Sequence, residues 1–252
     1  MLFVAISLSD QAYGMMTLIA IIINLIMSIV ILKKANKQKV SILYIFFLTL
    51  LFTGVAWWPV GIEYIYWLLT GNLFPYGFLA EINLIAIIIS FLAWLDLYMR
   101  IVYPGKRKLL LFMLLIYGLI CVIFFIYVIY YLHLAPGAPV ESMLGSEVTP
   151  FIGKSPDIII LFALILLITV LITGLHFSIT SMREKDPEIK WKGKILFISF
   201  IFYGIGEMDF MSIFFGLEFA VITRLILIIG NILFYIGFIM PEFVKKRLNL
   251  EE

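Results

Sequence analysis

The chain has almost none of the side chains from which metal, redox and nucleophilic sites are usually built. One cysteine in 252 residues, Cys121, excludes an intramolecular disulfide, a cysteine-rich zinc site and a cysteine-ligated cluster. Two histidines, His133 and His176, cannot supply a multi-histidine metal centre. Charge is scarce as well, at 13% of residues against about 25% in soluble domains. There is no Gly-x-Ser-x-Gly nucleophile turn, no phosphate-cradling glycine loop and no paired intramembrane aspartates. These absences argue against an enzyme, against a bound metal and against a nucleic-acid partner.

What is abundant is hydrocarbon: 64% of residues are hydrophobic and the mean hydropathy is +1.14, which excludes a water-soluble globule. A spanning helix needs about 20 apolar residues to cross about 30 Å of bilayer. Seven such runs occur, at 13–32, 40–60, 78–101, 109–132, 157–180, 195–215 and 219–240. They predict an all-α membrane protein, one seven-helix transmembrane domain over 1–252, with an interfacial tail at 241–252. Pro59 should end or kink the second helix, since it has no N–H, leaving 60–70 as extra turns at the surface. Residues 1–12 carry no Lys or Arg, so the first helix is expected to stay as an anchor. The outer segment 133–156 is long enough for a lid, or is a plain connection.

The net charge of +2 conceals a strong asymmetry. Sixteen of eighteen basic residues fall in the connections 33–39, 100–108 and 181–194 and in the tail, leaving Lys154 and Arg224. The positive-inside rule then places the N-terminus outside and the C-terminus in the cytoplasm of a cell-membrane protein. The tail is amphipathic: Phe243, Val244, Leu248 and Leu250 can lie in lipid while Lys245, Lys246 and Arg247 meet anionic headgroups. Anchoring and partner docking are its alternative roles.

Polar side chains in a span are expected to face the bundle interior. They recur at helical spacing as Thr17, Asn24 and Ser28, as Asn83 and Ser90, as Thr169, Thr173, His176 and Thr180, as Ser199, Tyr203 and Glu207, and as Arg224, Asn231 and Tyr235. Arg224 should pair with Glu207, or with its rival Glu218, because a lone charge there is costly. Asp209 lies about 200° round the helix from Glu207 and is expected at the interface. Glu63 and Glu81 would complete an acidic outer rim beside Trp57, Trp58, Tyr64, Tyr66, Trp67 and Tyr76. That rim could hold a small cationic or amphipathic ligand by charge and cation–π contact, or be an ordinary interfacial aromatic belt. Candidate ligand-binding residues are therefore Glu63, Glu81, Glu207, Arg224, Trp57, Tyr203 and Asn231. Asp96 and His176, at similar depth in the inner half, could share a hydrogen bond and act as a protonation switch, or be structural.

At the end of the third span the chain reads Leu95-Asp96-Leu97-Tyr98-Met99-Arg100-Ile101-Val102-Tyr103-Pro104. This resembles the D-R-Y-x-x-I-V-x-P stretch of rhodopsin-like G-protein-coupled receptors, with Asp96, Tyr98, Ile101, Val102 and Pro104 in matching places. Asn24 could stand for that family's first-helix asparagine, and Asn231 and Tyr235 match the ends of its N-P-x-x-Y motif. Leu97 replaces its arginine, Ile232 its proline, and C-W-x-P is missing. The ending Ile239-Met240-Pro241-Glu242-Phe243-Val244-Lys245-Lys246-Arg247-Leu248 resembles the exit of seven-helix sensor modules fused to prokaryotic histidine kinases. Both resemblances imply a receptor or sensor architecture acting through a separate cytoplasmic partner. No span contains a lysine, so a covalent retinal pigment is excluded and no cofactor is expected.

A receptor or sensor requires one outer pocket closed on the inside. A small transporter would need a polar route to both faces, usually with broken helices or a repeated half. An accessory subunit without a ligand is the third possibility.

Overall fold

The computed structural model describes residues 7–72, 76–133, 157–208 and 215–250, with side chains left undescribed at 76–81, 107, 128–133, 157–160 and 217. The described residues are all-helical, without strands. The helices are α1 (Leu8–Gln38), α2 (Ser41–Val55), α3 (Trp58–Thr70), α4 (Tyr76–Val102), α5 (Arg107–His133), α6 (Asp157–Met182), α7 (Pro187–Gly206), α8 (Leu217–Ile239) and α9 (Glu242–Arg247). Five of them, α1, α4, α5, α6 and α8, are long and apolar enough to cross a membrane, and six spans result if the bent pair α2 and α3 counts as one.

Helix ends follow local chemistry more than hydropathy. α1 starts five residues before its apolar run because Ser7 and Asp10 form a capping box: Asp10 N–H donates to Ser7 Oγ at 3.1 Å and Ser7 N–H to Asp10 Oδ2 at 3.0 Å. α7 likewise starts at Pro187, capped by Asp186, so its first two turns carry Lys190, Lys192 and Lys194. That charge keeps the described part of α7 from qualifying as a span by composition, although a sixth span was expected at 195–215.

The second apolar run breaks at Ala56-Trp57, earlier than Pro59, and α2 and α3 meet at 41°. Pro59 sits in the first turn of α3, where its missing N–H costs nothing. Gly71 ends α3 with φ 70°, a left-handed conformation that glycine adopts without strain. Residues 60–70 are thus a complete helix packed along α1, a correction to the expected surface turns; Gly61 faces Leu18 and Ile21, and Gly14 faces Tyr64.

Six helices close into a ring, each touching the next: α1, α2, α4, α6, α7, α8 and back to α1. The most extensive contact joins α7 and α8, where Gly206 abuts the backbone of Leu227, Gly230 that of Tyr203, and Gly237 the side chain of Leu196. Small residues let backbones approach where no water-driven burial holds helices together. α5 lies outside the ring against α4, with Phe124 stacked on Phe162 of α6 at 3.8 Å. Its outward face is apolar, Leu115 being 70% exposed, as a lipid-facing helix requires.

α1 and α8 are parallel neighbours. Ser9 Oγ donates to Glu218 Oε1 at 3.3 Å at their N-terminal ends, and Lys34 Nζ donates to the Ile239 carbonyl at 3.0 Å at their C-terminal ends. α9 is fastened at the same end as Lys34: Lys245 Nζ meets Glu188 Oε2 of α7 at 2.8 Å, and Lys192 holds the other oxygen at 2.6 Å. Partial burial pushes the Glu188 carboxyl up, but the hydrogen bonds and charges of Lys192 and Lys245 outweigh it and hold it below the usual carboxylate range. The same hydrogen bond to Glu188 raises Lys245 above its ordinary value.

Candidate functional site

Inside the ring is a cavity of about 140 Å³ bounded by α2, α4, α6, α7 and α8. Its walls are mainly hydrocarbon and aromatic, contributed by Phe91, Trp94, Phe200 and Phe234 among others. One end is closed by rings: Phe46 and Phe238 have centroids 3.9 Å apart, Phe177 and Phe238 5.8 Å, and Trp94 and Phe200 5.1 Å. Phe46 is near the start of α2 and Phe238 near the end of α8, so this floor is at the Lys34 end of the bundle. The opposite end is polar. There α7 finishes, with Glu207 as its C-cap, and Glu207 lines the cavity beside Ala56 at the α2 break. Tyr203, one turn before it, hydrogen-bonds Glu207.

Midway, the walls carry a ladder of hydroxyls. Thr53 Oγ1 and Ser90 Oγ are 2.7 Å apart and lie 2.8 and 3.0 Å from the Thr49 carbonyl oxygen, so their two protons are shared between that carbonyl and each other. These groups satisfy one another. Asn231 does not share in that network: it is 4% exposed, lines the cavity, and its Oδ1 has no hydrogen-bond partner among the described residues. A buried carbonyl oxygen left unpaired costs about 1–3 kcal/mol. Ser199, on the next face, donates to the Gly230 carbonyl at 2.8 Å and fixes the height of α8 against α7.

The structure therefore brings Glu207, Tyr203 and Asn231 together, and sets the remaining candidates elsewhere. Arg224 is fully buried in a second cluster, an aromatic sandwich. Its guanidinium lies 3.5 Å from the centre of the Trp57 ring, and Nη2 donates to the Tyr13 hydroxyl at 2.6 Å. A desolvated cation over an indole face is worth about 2 kcal/mol. Trp57 is thus a structural partner of Arg224 at the hinge between α2 and α3. A second grip holds this hinge, where Asn83 Nδ2 donates to the Ala56 carbonyl at 2.6 Å and satisfies an acceptor that the helix end leaves open. Glu63, expected on the acidic outer rim, is 3% exposed and does not line the cavity. Glu218 accepts from Ser9. The side chain of Glu81, Asp209 and Lys154, and the segment 134–156, lie outside the described residues.

The expected Asp96–His176 pair is not formed. Asp96 accepts from Arg100 Nε at 2.8 Å, one turn along its own helix, while His176 Nδ1 and the Tyr98 hydroxyl are 2.9 Å apart. Helical rotation explains the difference, since Asp96 and Tyr98 lie about 200° apart on α4 and only one can face α6. Tyr103 stacks on His176 with centroids at 6.3 Å. Of the expected polar stripe on α6, only Thr173 is buried, accepting from Trp94 Nε1 at 2.8 Å. Thr169 and Thr180 donate to carbonyls four residues back, which lets a hydroxyl face lipid.

Sequence reasoning missed Tyr13, the first residue of the run 13–32, where only Thr17, Asn24 and Ser28 were singled out as polar. It also missed Thr49 and Thr53, whose spacing of four was the available signal. The chain matches no protein-family model, no curated protein and no solved structure.

Proposed function

We propose that the chain is a seven-span receptor or sensor of the cell membrane, N-terminus outside and C-terminus in the cytoplasm. It takes a small cationic or amphipathic ligand in the central cavity and signals through a separate cytoplasmic protein. The bent α2 and α3 count as one span, and the apolar run 195–215 read from the sequence supplies the remaining crossing. The four basic clusters then share the cytoplasmic side with α9. The observation that carries this reading is the one-sided cavity, with Glu207 and Tyr203 at its outer end and an aromatic floor beneath it. A carboxylate above aromatic walls suits a cation with a hydrocarbon body, and a closed floor suits signalling by helix shifts better than passage of solute.

The test is reconstitution of the purified protein in liposomes, with binding of alkylammonium ions and leakage of entrapped ions followed side by side. Saturable binding weakened by Glu207→Gln, without leakage above empty liposomes, is expected. A flux abolished by Glu207→Gln would instead make the protein a transporter.

A further inference from the structure

The outward face of α7 changes character along its length. At about 100° per residue, Lys190, Trp191, Lys194, Ile198, Ile201 and Ile205 fall within about 100° of one another round the helix. All six are exposed, while Gly193, Leu196, Ser199, Phe200 and Gly204 on the opposite side are buried in the bundle. Ile205 stands about 16 Å along the axis from Lys194, which matches one leaflet of a hydrocarbon core about 30 Å thick. The face is therefore apolar over the depth of one leaflet and basic where the headgroups of that leaflet lie, at the end of the bundle to which α9 is fastened.

The three lysines of this end are not equivalent. Lys192 turns away from the stripe and shares Glu188 with Lys245. Lys190 and Lys194 meet no carboxylate among the described residues. Asp186, the acid nearest to Lys190 in sequence on its N-terminal side after Glu188, caps the helix by accepting the Glu188 N–H at 2.7 Å. Like charges four residues apart on one helix face repel each other. Lys194 Nζ is held 4.1 Å from the centre of the Trp191 ring, so that cation sits beside an indole at the head of the isoleucine stripe. An anion between the two ammonium groups relieves their repulsion and neutralises the charge that α7 carries at the membrane surface.

We propose that this face binds an anionic phospholipid, its phosphate between Lys190 and Lys194 beside Trp191 and an acyl chain along Ile198, Ile201 and Ile205. Two cations without a carboxylate select an anionic headgroup over a zwitterionic one, and the isoleucine stripe selects a lipid over a soluble phosphate. The site is distinct from the basic tail, whose Lys245 is engaged by Glu188.

The test uses the full chain in phosphatidylcholine nanodiscs at low ionic strength, titrated with dibrominated phosphatidylglycerol or dibrominated phosphatidylcholine. Bromine quenches tryptophan on contact, and subtracting the Trp191→Phe signal in each background isolates Trp191 from the other tryptophans. Quenching of Trp191 should saturate at a lower fraction of phosphatidylglycerol than of phosphatidylcholine. A lysine near an anionic surface is worth about a fivefold change in affinity, so Lys190→Gln and Lys194→Gln should each cut the preference about fivefold. Lys108→Gln, at an exposed lysine near the start of α5, should leave it unchanged. Inorganic phosphate should displace no more lipid than chloride at equal ionic strength. Equal wild-type quenching by the two lipids would overturn the proposal. So would an equal loss in Lys108→Gln, which marks diffuse surface charge, or displacement by phosphate, which marks a soluble ligand. The substituted lysines are all exposed, and the wild-type comparison of the two lipids is decisive without them.

Discussion

Arg224 shows how a single residue can be both costly and central. Its charge is fully buried, and the described contacts that compensate are an indole face at 3.5 Å and a phenol oxygen at 2.6 Å. Stacking needs the planar guanidinium, so lysine is a poor substitute. Arg224→Ala should destabilise the bundle by about 2–4 kcal/mol, read as a lowered Tm in detergent, with Arg224→Lys between it and wild type. Lys154→Ala should melt like the wild type, and equal melting of Arg224→Ala and Lys154→Ala would remove the sandwich from the list of stabilising contacts. The position of Arg224 was legible in the sequence, because a charge inside an apolar run stands out. Its aromatic partners were not, since the chain separates Tyr13 from Arg224 by 211 residues and no spacing rule spans that distance. Asp96 and His176 illustrate the converse. A similar depth fixes only one coordinate, and the rotation of α4 decided which side chain met α6.

At the scale of the helix, the α7–α8 contact depends on what is missing from the side chains. A Cβ on Gly206 would lie 2.7 Å from the Leu227 Cα, a backbone atom that cannot step aside. Gly206→Ala should therefore cost about 1–3 kcal/mol by forcing the helices apart, whereas Gly118→Ala on α5, with nothing within 4 Å, should be neutral or slightly stabilising. Paired thermal melts decide this. α9 is held differently, by the half-buried pair of Glu188 and Lys245. The carboxyl of Glu188 is held low, so its contribution is present above the ordinary carboxylate value of 4.5 and is lost as pH falls through the lowered one. The ammonium of Lys245 is held high, so its contribution is present below 10.5 and is lost as pH rises through the raised value. Such a pair is worth about 0.2–1 kcal/mol, enough to position a short helix but too little to move the Tm. A distance probe between residues 189 and 246 should stay short from mildly acidic to mildly basic pH and lengthen beyond either limit. Glu188→Gln should lengthen it at neutral pH. Hydropathy found α4, α5, α6 and α8 to within about two residues. It misplaced the starts of α1 and α7, because their first turns are polar and are helical through capping.

At the scale of the whole molecule, one arrangement accounts for the charge asymmetry, the parallel α1 and α8 and the one-sided cavity together. Its topology is testable by cysteine labelling in a Cys121→Ala background, replacing a 1% exposed thiol with another small side chain. Ser9→Cys should react with a membrane-impermeant maleimide from outside intact cells, and Asn249→Cys only after lysis. The reverse pattern would invert the cavity and place its acid on the cytoplasmic side. The all-helical character and the rough limits of the long apolar helices α4, α5, α6 and α8 were legible in composition. The ring was not, because closure is a property of pairs of faces, and one apolar surface looks like another in a sequence. That closure has a consequence for synthesis. The joint between α1 and α8 has no connecting loop and is pinned by Ser9 and Glu218, Tyr13 and Arg224, and Lys34 and the Ile239 carbonyl. Because α1 precedes α8 by seven helices in the chain, it waits with half of this joint unmade until α8 arrives. The cavity thus does not accumulate helix by helix; it is completed only when α8 supplies its last wall.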